Sequence, residues 1–373
     1  MIQDEMTRAE KLATEAIGID SHIDTMQRVL VMGQDLGKRS TAGHVDLPRL
    51  REGGIHAPFF AFWVPVYYQG AEAVRRTLDL RDAMQSVLDA YPDEIELATT
   101  AGAIERIVKS GKISAFLAIE GGHQIADDLR VLRMFYKLGL RSMTLTHSRN
   151  NTWADASTDE PVHNGLTEFG KDVVREMNRL GMLVDVSHVS DKTFYDTLAV
   201  TTRPVIVSHS SMRALSDVPR NISDEMLRAL GKNGGVVGIN FGEGFVNPKD
   251  AEALRAAIRI ETNGPPLTGK QLDDYAAADV HKLFDGRVKV AATVEDVADH
   301  IDYAVNIAGI DHVGIGSDFD GISGPPNGLE DVSKMPALLA VLLKRGYTEH
   351  DLKKILGENY LRVIREVTGE QKG

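Results

Sequence analysis

Side chains two residues apart on an extended chain point the same way, and His22-Ile23-Asp24 has this spacing. An imidazole nitrogen and a carboxylate oxygen so placed bind Zn2+ at about 2.0 to 2.2 Å. The same residue types recur at the ends of other apolar runs: Glu120 before two glycines, His147 after Thr146, His188 after Ser187, His209 after Ser208, and Asp318 before Phe319-Asp320. Taken together, His22 and Asp24 would hold one ion, Glu120 would bridge it to a second, and His188 with His209 would complete the second site. Two ions about 3.5 to 4 Å apart acidify a bridging water towards neutrality, so the chemistry on offer is hydrolysis at ordinary pH. A single histidine at such a position is more often a hydrogen-bonded structural residue than a ligand. Four histidines and three acids at equivalent positions are what favour the metal reading.

To act together, these residues must be carried to one rim. Eight short apolar or β-branched runs are expected as strands, at 17–24, 56–66, 112–121, 140–147, 181–188, 203–209, 234–240 and 312–318. Amphipathic stretches at 71–90, 100–110, 129–138, 167–180, 191–199, 223–231 and 294–308 are expected as helices. Strand–helix alternation with nearly all-apolar strands predicts an α/β fold with a closed parallel sheet, a (β/α)8 TIM barrel, whose sites lie at the carboxyl ends of the strands. His56 and His312 begin runs and belong to the opposite, structural rim; His123 is expected to support Glu120. His44, His163, His281, His300 and His350 fall in loops or helices and are expected to be solvated, and Phe59, Phe60, Phe62 and Trp63 to be packing residues. The stretch 247–290, with its Gly264-Pro265-Pro266 turn, reads as a loop excursion carrying its own helices. No linker interrupts the chain, so a single domain over 1–373 is expected.

Composition narrows the classes. With 373 residues, 43% hydrophobic and 26% charged, the chain is an ordinary globular one able to bury a full core. Its 42 basic against 54 acidic residues leave a net charge of −12, which disfavours a nucleic-acid partner. The absence of cysteine removes thiolate metal sites and thiol nucleophiles. No apolar run approaches the about 18 residues a membrane span needs. The first residues are polar and acidic rather than signal-like, so a cytoplasmic protein is expected, with an exported form left open.

His22-Ile-Asp24, Glu120-Gly-Gly-His123, Leu145-Thr-His147-Ser, Val184-Asp-Val-Ser-His188, Val207-Ser-His209-Ser, Arg220-Asn221, Gly316-Ser-Asp318-Phe-Asp-Gly321 and Gly357-Glu-Asn-Tyr360 together resemble the membrane dipeptidase (renal dipeptidase) family of the amidohydrolase superfamily. The resemblance implies a metallo-dipeptidase with two Zn2+ per chain that tolerates a D-residue at the second position of its dipeptide substrate, and a homodimer. It implies that His22 and Asp24 hold one zinc, Glu120 both, and His188 with His209 the other. On the same pattern, His147 polarises the scissile carbonyl, Arg220 clamps the substrate carboxylate and Asp318 is the general base. Arg149-Asn-Asn-Thr152 and Gly242 depart from the mammalian pattern and are expected to line the substrate pocket. Two rivals remain at this point: another amidohydrolase reaction on an N-acyl amino acid, lactone or phosphoester, and a metal-dependent binding protein without turnover. Against the first stand His-x-Asp and Glu120, where many relatives use His-x-His and a modified lysine.

Overall fold

The computed structural model describes residues 2–252, 268–285 and 289–370. Its strands are β1 (Phe59–Trp63), β2 (Ile95–Leu97), β3 (Ile113–Glu120), β4 (Leu140–Thr144), β5 (Leu183–Asp185), β6 (Ile206–Ser210), β7 (Val236–Ile239) and β8 (Val313–Ile315). All pairings are parallel, in the order β1-β3-β4-β5-β6-β7-β8. Strands β1, β3, β6 and β7 are buried at every position, as expected of a parallel sheet covered on both faces. The short β2 pairs only with β3, outside the ring.

The expected first strand forms no continuous ladder. Between Gly18 and Ile23 the chain makes single bridges to Ile55, Phe60, Ile315 and Phe319. Its amides divide between the two neighbours: Ser21 N–H donates to Ile315 O and Ile23 N–H to Phe59 O, both at 3.0 Å. This segment therefore sits between β1 and β8 and closes the barrel. The His22 N–H goes instead to a nearby side chain, Asp20 Oδ1, at 3.2 Å. That local bond competes with regular pairing, which is why an extended sequence yields bridges rather than a ladder.

The amphipathic stretches are helices close to their expected limits, including Ala71–Ala90, Glu168–Leu180 and Val294–Ala308. Side chains cap their first turns: Thr167 accepts from Gly170 N–H, and Thr293 forms a reciprocal capping box with Asp296. Gly181 ends its helix at φ 80°, a left-handed conformation that glycine adopts without steric cost. At the amino-terminal end of the ring, Ile19, Phe59, Phe116, Leu183, Ile206, Val236 and Tyr360 form one apolar cluster. Tyr360 plugs this floor, its hydroxyl 2.7 Å from Ser21 Oγ, and Asn359 Nδ2 donates to Ile310 O and Val313 O. The Gly357-Glu-Asn-Tyr360 motif thus belongs to the closed end, opposite the ionisable rim.

Within the expected excursion, the helix Gly269–Asp285 is present. Asp273 ties it down, accepting from Arg75 Nη2 at 2.7 Å and Tyr68 Oη at 2.9 Å. The Gly264-Pro265-Pro266 turn lies outside the described residues. Among the described residues, no helix is long and apolar enough to cross a membrane.

Candidate metal centre

Glu120 ends β3, and its side chain faces four imidazoles. Its Oε1 lies 3.0 Å from His188 Nε2, 3.4 Å from both His22 Nε2 and His209 Nε2, and 3.7 Å from His147 Nε2. Ligand atoms about 2.0 to 2.2 Å from a common tetrahedral centre are about 3.3 to 3.6 Å apart; His22 and His209 stand at that spacing from Glu120, with His188 closer and His147 farther. Three overlapping triads each bring their ligand atoms within 4.8 Å of one another: His22, Glu120 and His209; Glu120, His147 and His188; and His22, Asp24 and Asp318. All seven residues predicted at strand ends therefore converge, drawn from six places in the chain.

Several of them lie past the strand ends rather than on them. His188 and Asp318 follow β5 and β8 and adopt φ of 65° and 63°. A left-handed backbone is costly for a residue with a side chain and is found where surrounding structure enforces it, often at functional sites. Here it bends the chain where the regular strand ends, although bridging resumes one residue later at Val189 and Phe319. Asn240 Nδ2 donates to Asp318 Oδ2 at 2.9 Å, which engages one carboxylate oxygen. Gly321 must be glycine for space: a Cβ there would stand 2.2 Å from Asp24 Oδ2 and 2.3 Å from Asp318 Oδ1.

Electrostatics favours a cation at this point. Burial opposes charge on His22, yet Glu120 and Asp24 outweigh it and hold its pKa well above the ordinary histidine value. Burial, reinforced by Glu120, pushes Asp24 up. Burial also depresses His188 far below the usual range, and His209 to about 4, so both rings are neutral and carry lone pairs. His22 Nε2, Asp24 Oδ1 and His188 Nδ1 are buried without a hydrogen-bond partner. Crowded carboxylates, neutral imidazoles and orphaned polar atoms fit divalent cations bound through nitrogen and oxygen.

The model of the membrane dipeptidase family (peptidase family M19) matches residues 6–372. The chain belongs to that family. It is a metallopeptidase of the dipeptidase class, a hydrolase of peptide bonds. Among its relatives, the chain is 39% identical over 347 residues to dipeptidase tcpJ of Claviceps purpurea (strain 20.1), covering 90% of this chain and 72% of that protein. It is similar to the crystal structure of the probable dipeptidase PvdM of Pseudomonas aeruginosa at a TM-score of 0.83 and 27% identity, covering 99% and 100% of the two chains. A metallopeptidase from Rhodobacter sphaeroides, crystallised with a phosphinate mimic of the dipeptide L-Ala-D-Ala, matches at a TM-score of 0.78 and 26% identity over 95% and 100%.

In this family member, Arg220 is buried beside the cluster, with its guanidinium over the Phe245 ring at 5.3 Å. Nη1 donates to Ser210 Oγ and Nη2 to His209 O, each at 3.3 Å. Burial lowers its pKa to about 10, against the pull of Asp318 and Glu120, so it stays charged at neutral pH. Trp63, at the end of β1, turns its ring to His147 at 5.9 Å, whereas Phe59, Phe60 and Phe62 are fully buried. His123 is buried next to Glu120, and burial takes its pKa to about 4.

Two expectations about histidines are corrected. His300 is 1% exposed rather than solvated: its Nδ1 accepts from Met212 N–H at 2.9 Å, and its Nε2 is 3.1 Å from Val246 O. His44 is largely covered; its Nδ1 accepts from Asp320 N–H and its backbone N–H donates to Asp320 Oδ1, bracing the turn after Asp318. Both lie on segments whose burial is decided by distant chain, which local composition does not register. The 149–152 stretch is tied to its own loop and to the segment after β3: Arg149 pairs with Asp159, Asn151 Nδ2 donates to Leu145 O, and Thr152 Oγ1 to Asp127. Gly242 N–H donates to Asn240 Oδ1, so this departure shapes the residue that holds Asp318. Asn240 escapes a reading of the sequence because an asparagine ending an apolar run carries no metal signature.

Proposed function

We propose that the protein is a binuclear zinc dipeptidase for dipeptides with a free carboxylate, accepting a D-residue at the second position. The observation carrying this reading is the single Glu120 oxygen within 3.0 to 3.7 Å of four imidazole nitrogens. His22, Asp24 and Glu120 would hold one ion, and Glu120, His188 and His209 the other. When bound, the pair supplies an acidified water and Lewis-acid polarisation of a carbonyl. Asp318 Oδ1 takes the proton of the attacking water and returns it to the leaving amine, while Asn240 keeps Oδ2 occupied and so directs the exchange to one oxygen. His147 hydrogen-bonds the scissile carbonyl as negative charge develops there. The buried fork of Arg220 receives the substrate carboxylate bidentately. Tolerance of a D-residue is supported by the L-Ala-D-Ala mimic held by the Rhodobacter sphaeroides metallopeptidase.

The test is a panel of L,L and L,D dipeptides, with C-terminal amides and N-acyl amino acids alongside, on protein of measured metal content. Turnover of both dipeptide classes at two zinc ions per chain, and none of the amides, is the expected result. Hydrolysis restricted to N-acyl amino acids, or full activity at one ion per chain, would reject it.

A further inference from the structure

We propose that Asp185, acting through Ser208, fixes the tautomer of His209 and holds the His188 and His209 half of the cluster in register. The inference rests on the metal reading above but concerns two residues with no place in it. Asp185 ends β5 and is 1% exposed. Its Oδ1 accepts the N–H groups of Ser187 at 3.0 Å and Ser208 at 2.9 Å. These residues immediately precede His188 and His209, so one oxygen ties together the backbone behind both ligands.

The other oxygen does different work. Asp185 Oδ2 accepts hydroxyl hydrogens from Thr144 at 2.5 Å and Ser208 at 2.6 Å. Ser208 Oγ is also 2.8 Å from His209 Nδ1. A carboxylate only accepts, and a serine hydroxyl has one hydrogen to give. That hydrogen is committed to Asp185, so Ser208 faces His209 as an acceptor, and Nδ1 carries the ring hydrogen. The Nε2 lone pair is thereby left facing the cluster, 2.8 Å from His188 Nε2 and 3.4 Å from Glu120 Oε1, where a metal ligand needs it. Ser187 Oγ, accepting His209 N–H at 3.1 Å and 3.2 Å from Ser208 Oγ, completes the support.

A second clamp serves the opposite half. Asp20 Oδ1 accepts from His22 N–H at 3.2 Å and from Ser317 N–H, just before Asp318, at 2.9 Å. Its Oδ2 is buried without a partner, and the Ser317 hydroxyl beside Asp20 accepts from Phe319 N–H rather than facing a histidine ring. Each half of the cluster thus has its own buried carboxylate behind the strand ends, and only one of them sets a tautomer.

Asp185→Asn separates the two roles. Its amide oxygen keeps both N–H bonds, while its NH2 replaces the oxygen facing Ser208. The Ser208 hydroxyl must then accept from the amide and donate to His209 Nδ1, which moves the ring hydrogen to Nε2. In metal-free protein labelled with 15N-histidine at pH 8, with His209 assigned by comparison with His209→Gln, the parent should show the Nδ1–H tautomer and Asp185→Asn the Nε2–H tautomer. Zinc titration should show one of two sites weakened about 10- to 100-fold in Asp185→Asn and the other unchanged. Ser208→Ala, which removes one oxygen and imposes no tautomer, should give a mixture of tautomers and a smaller loss at the same site; it also carries the test should Asp185→Asn fail to fold. An Nε2–H tautomer in the parent, equal weakening of both sites, or unaltered binding in both variants would overturn the proposal. Failure of the parent to bind two ions would instead count against the function proposed above, because the tautomer is read without metal.

Discussion

Asp318 has one carboxylate oxygen held by Asn240 and one turned to Asp24 across Gly321. An amide at this position preserves the shape and removes the proton acceptor. Asp318→Asn should therefore lose about 10² to 10⁴ in kcat, the usual contribution of a positioned acid or base, with the other ligands still retaining metal. Parental turnover in that variant would remove Asp318 from the role of base. Arg220 is a different case, because its contribution is a planar pair of donors in a buried place. Arg220→Lys keeps the charge and loses the fork, so KM for dipeptides should rise at least about tenfold while kcat changes little; an unchanged KM would place the substrate carboxylate elsewhere. The residue types for both roles are visible in the sequence through the family motifs. Asp185 and Ser208 stand inside those motifs and Asn240 outside them, but what each does is not legible there, since it comes from which oxygen or nitrogen the side chain faces.

Among the elements, helices are the most legible, because apolar periodicity, caps such as Thr167 and Thr293 and stops such as Gly181 are local signals. The barrel's first segment is legible in place but not in form, as the bond from His22 N–H to Asp20 cannot be inferred from an apolar run. His300 shows how an element joins distant chain: from the helix Val294–Ala308 it bonds to Met212 beyond β6 and to Val246 beyond β7. Burial lowers its pKa to about 4. Because the folded value lies below the unfolded value of about 6.5, protons favour the unfolded chain. The stabilisation from His300 is thus fully present above about pH 6.5 and is lost as the pH falls towards 4, roughly 3 kcal/mol in all. Denaturant unfolding of the parent and His300→Gln from pH 7 to 4 should show a shallower acid loss in the variant; parallel curves would mean that His300 does not titrate on unfolding.

For the whole molecule, the cluster is a concentration of buried charge that a bound cation would neutralise. Removing metal with a chelator should lower Tm by several degrees and re-adding zinc should restore it, since a ligand at about 1,000 times its Kd adds about 4 kcal/mol. A Tm indifferent to both treatments would show that no ion is held in the folded state. The fold class, the barrel's direction and the identity of the seven converging residues were determined by the sequence alone, because alternation of apolar runs with helices fixes which ends of the strands carry the histidines and acids. Only the tertiary structure decided that His188 and Asp318 turn inwards on left-handed backbone, that His300 is buried, and that Asp20 and Asp185 stand behind the ligands. The physical reason is separation along the chain: Asp20 meets Ser317 across 297 residues, and no local pattern records a hydrogen bond of that span.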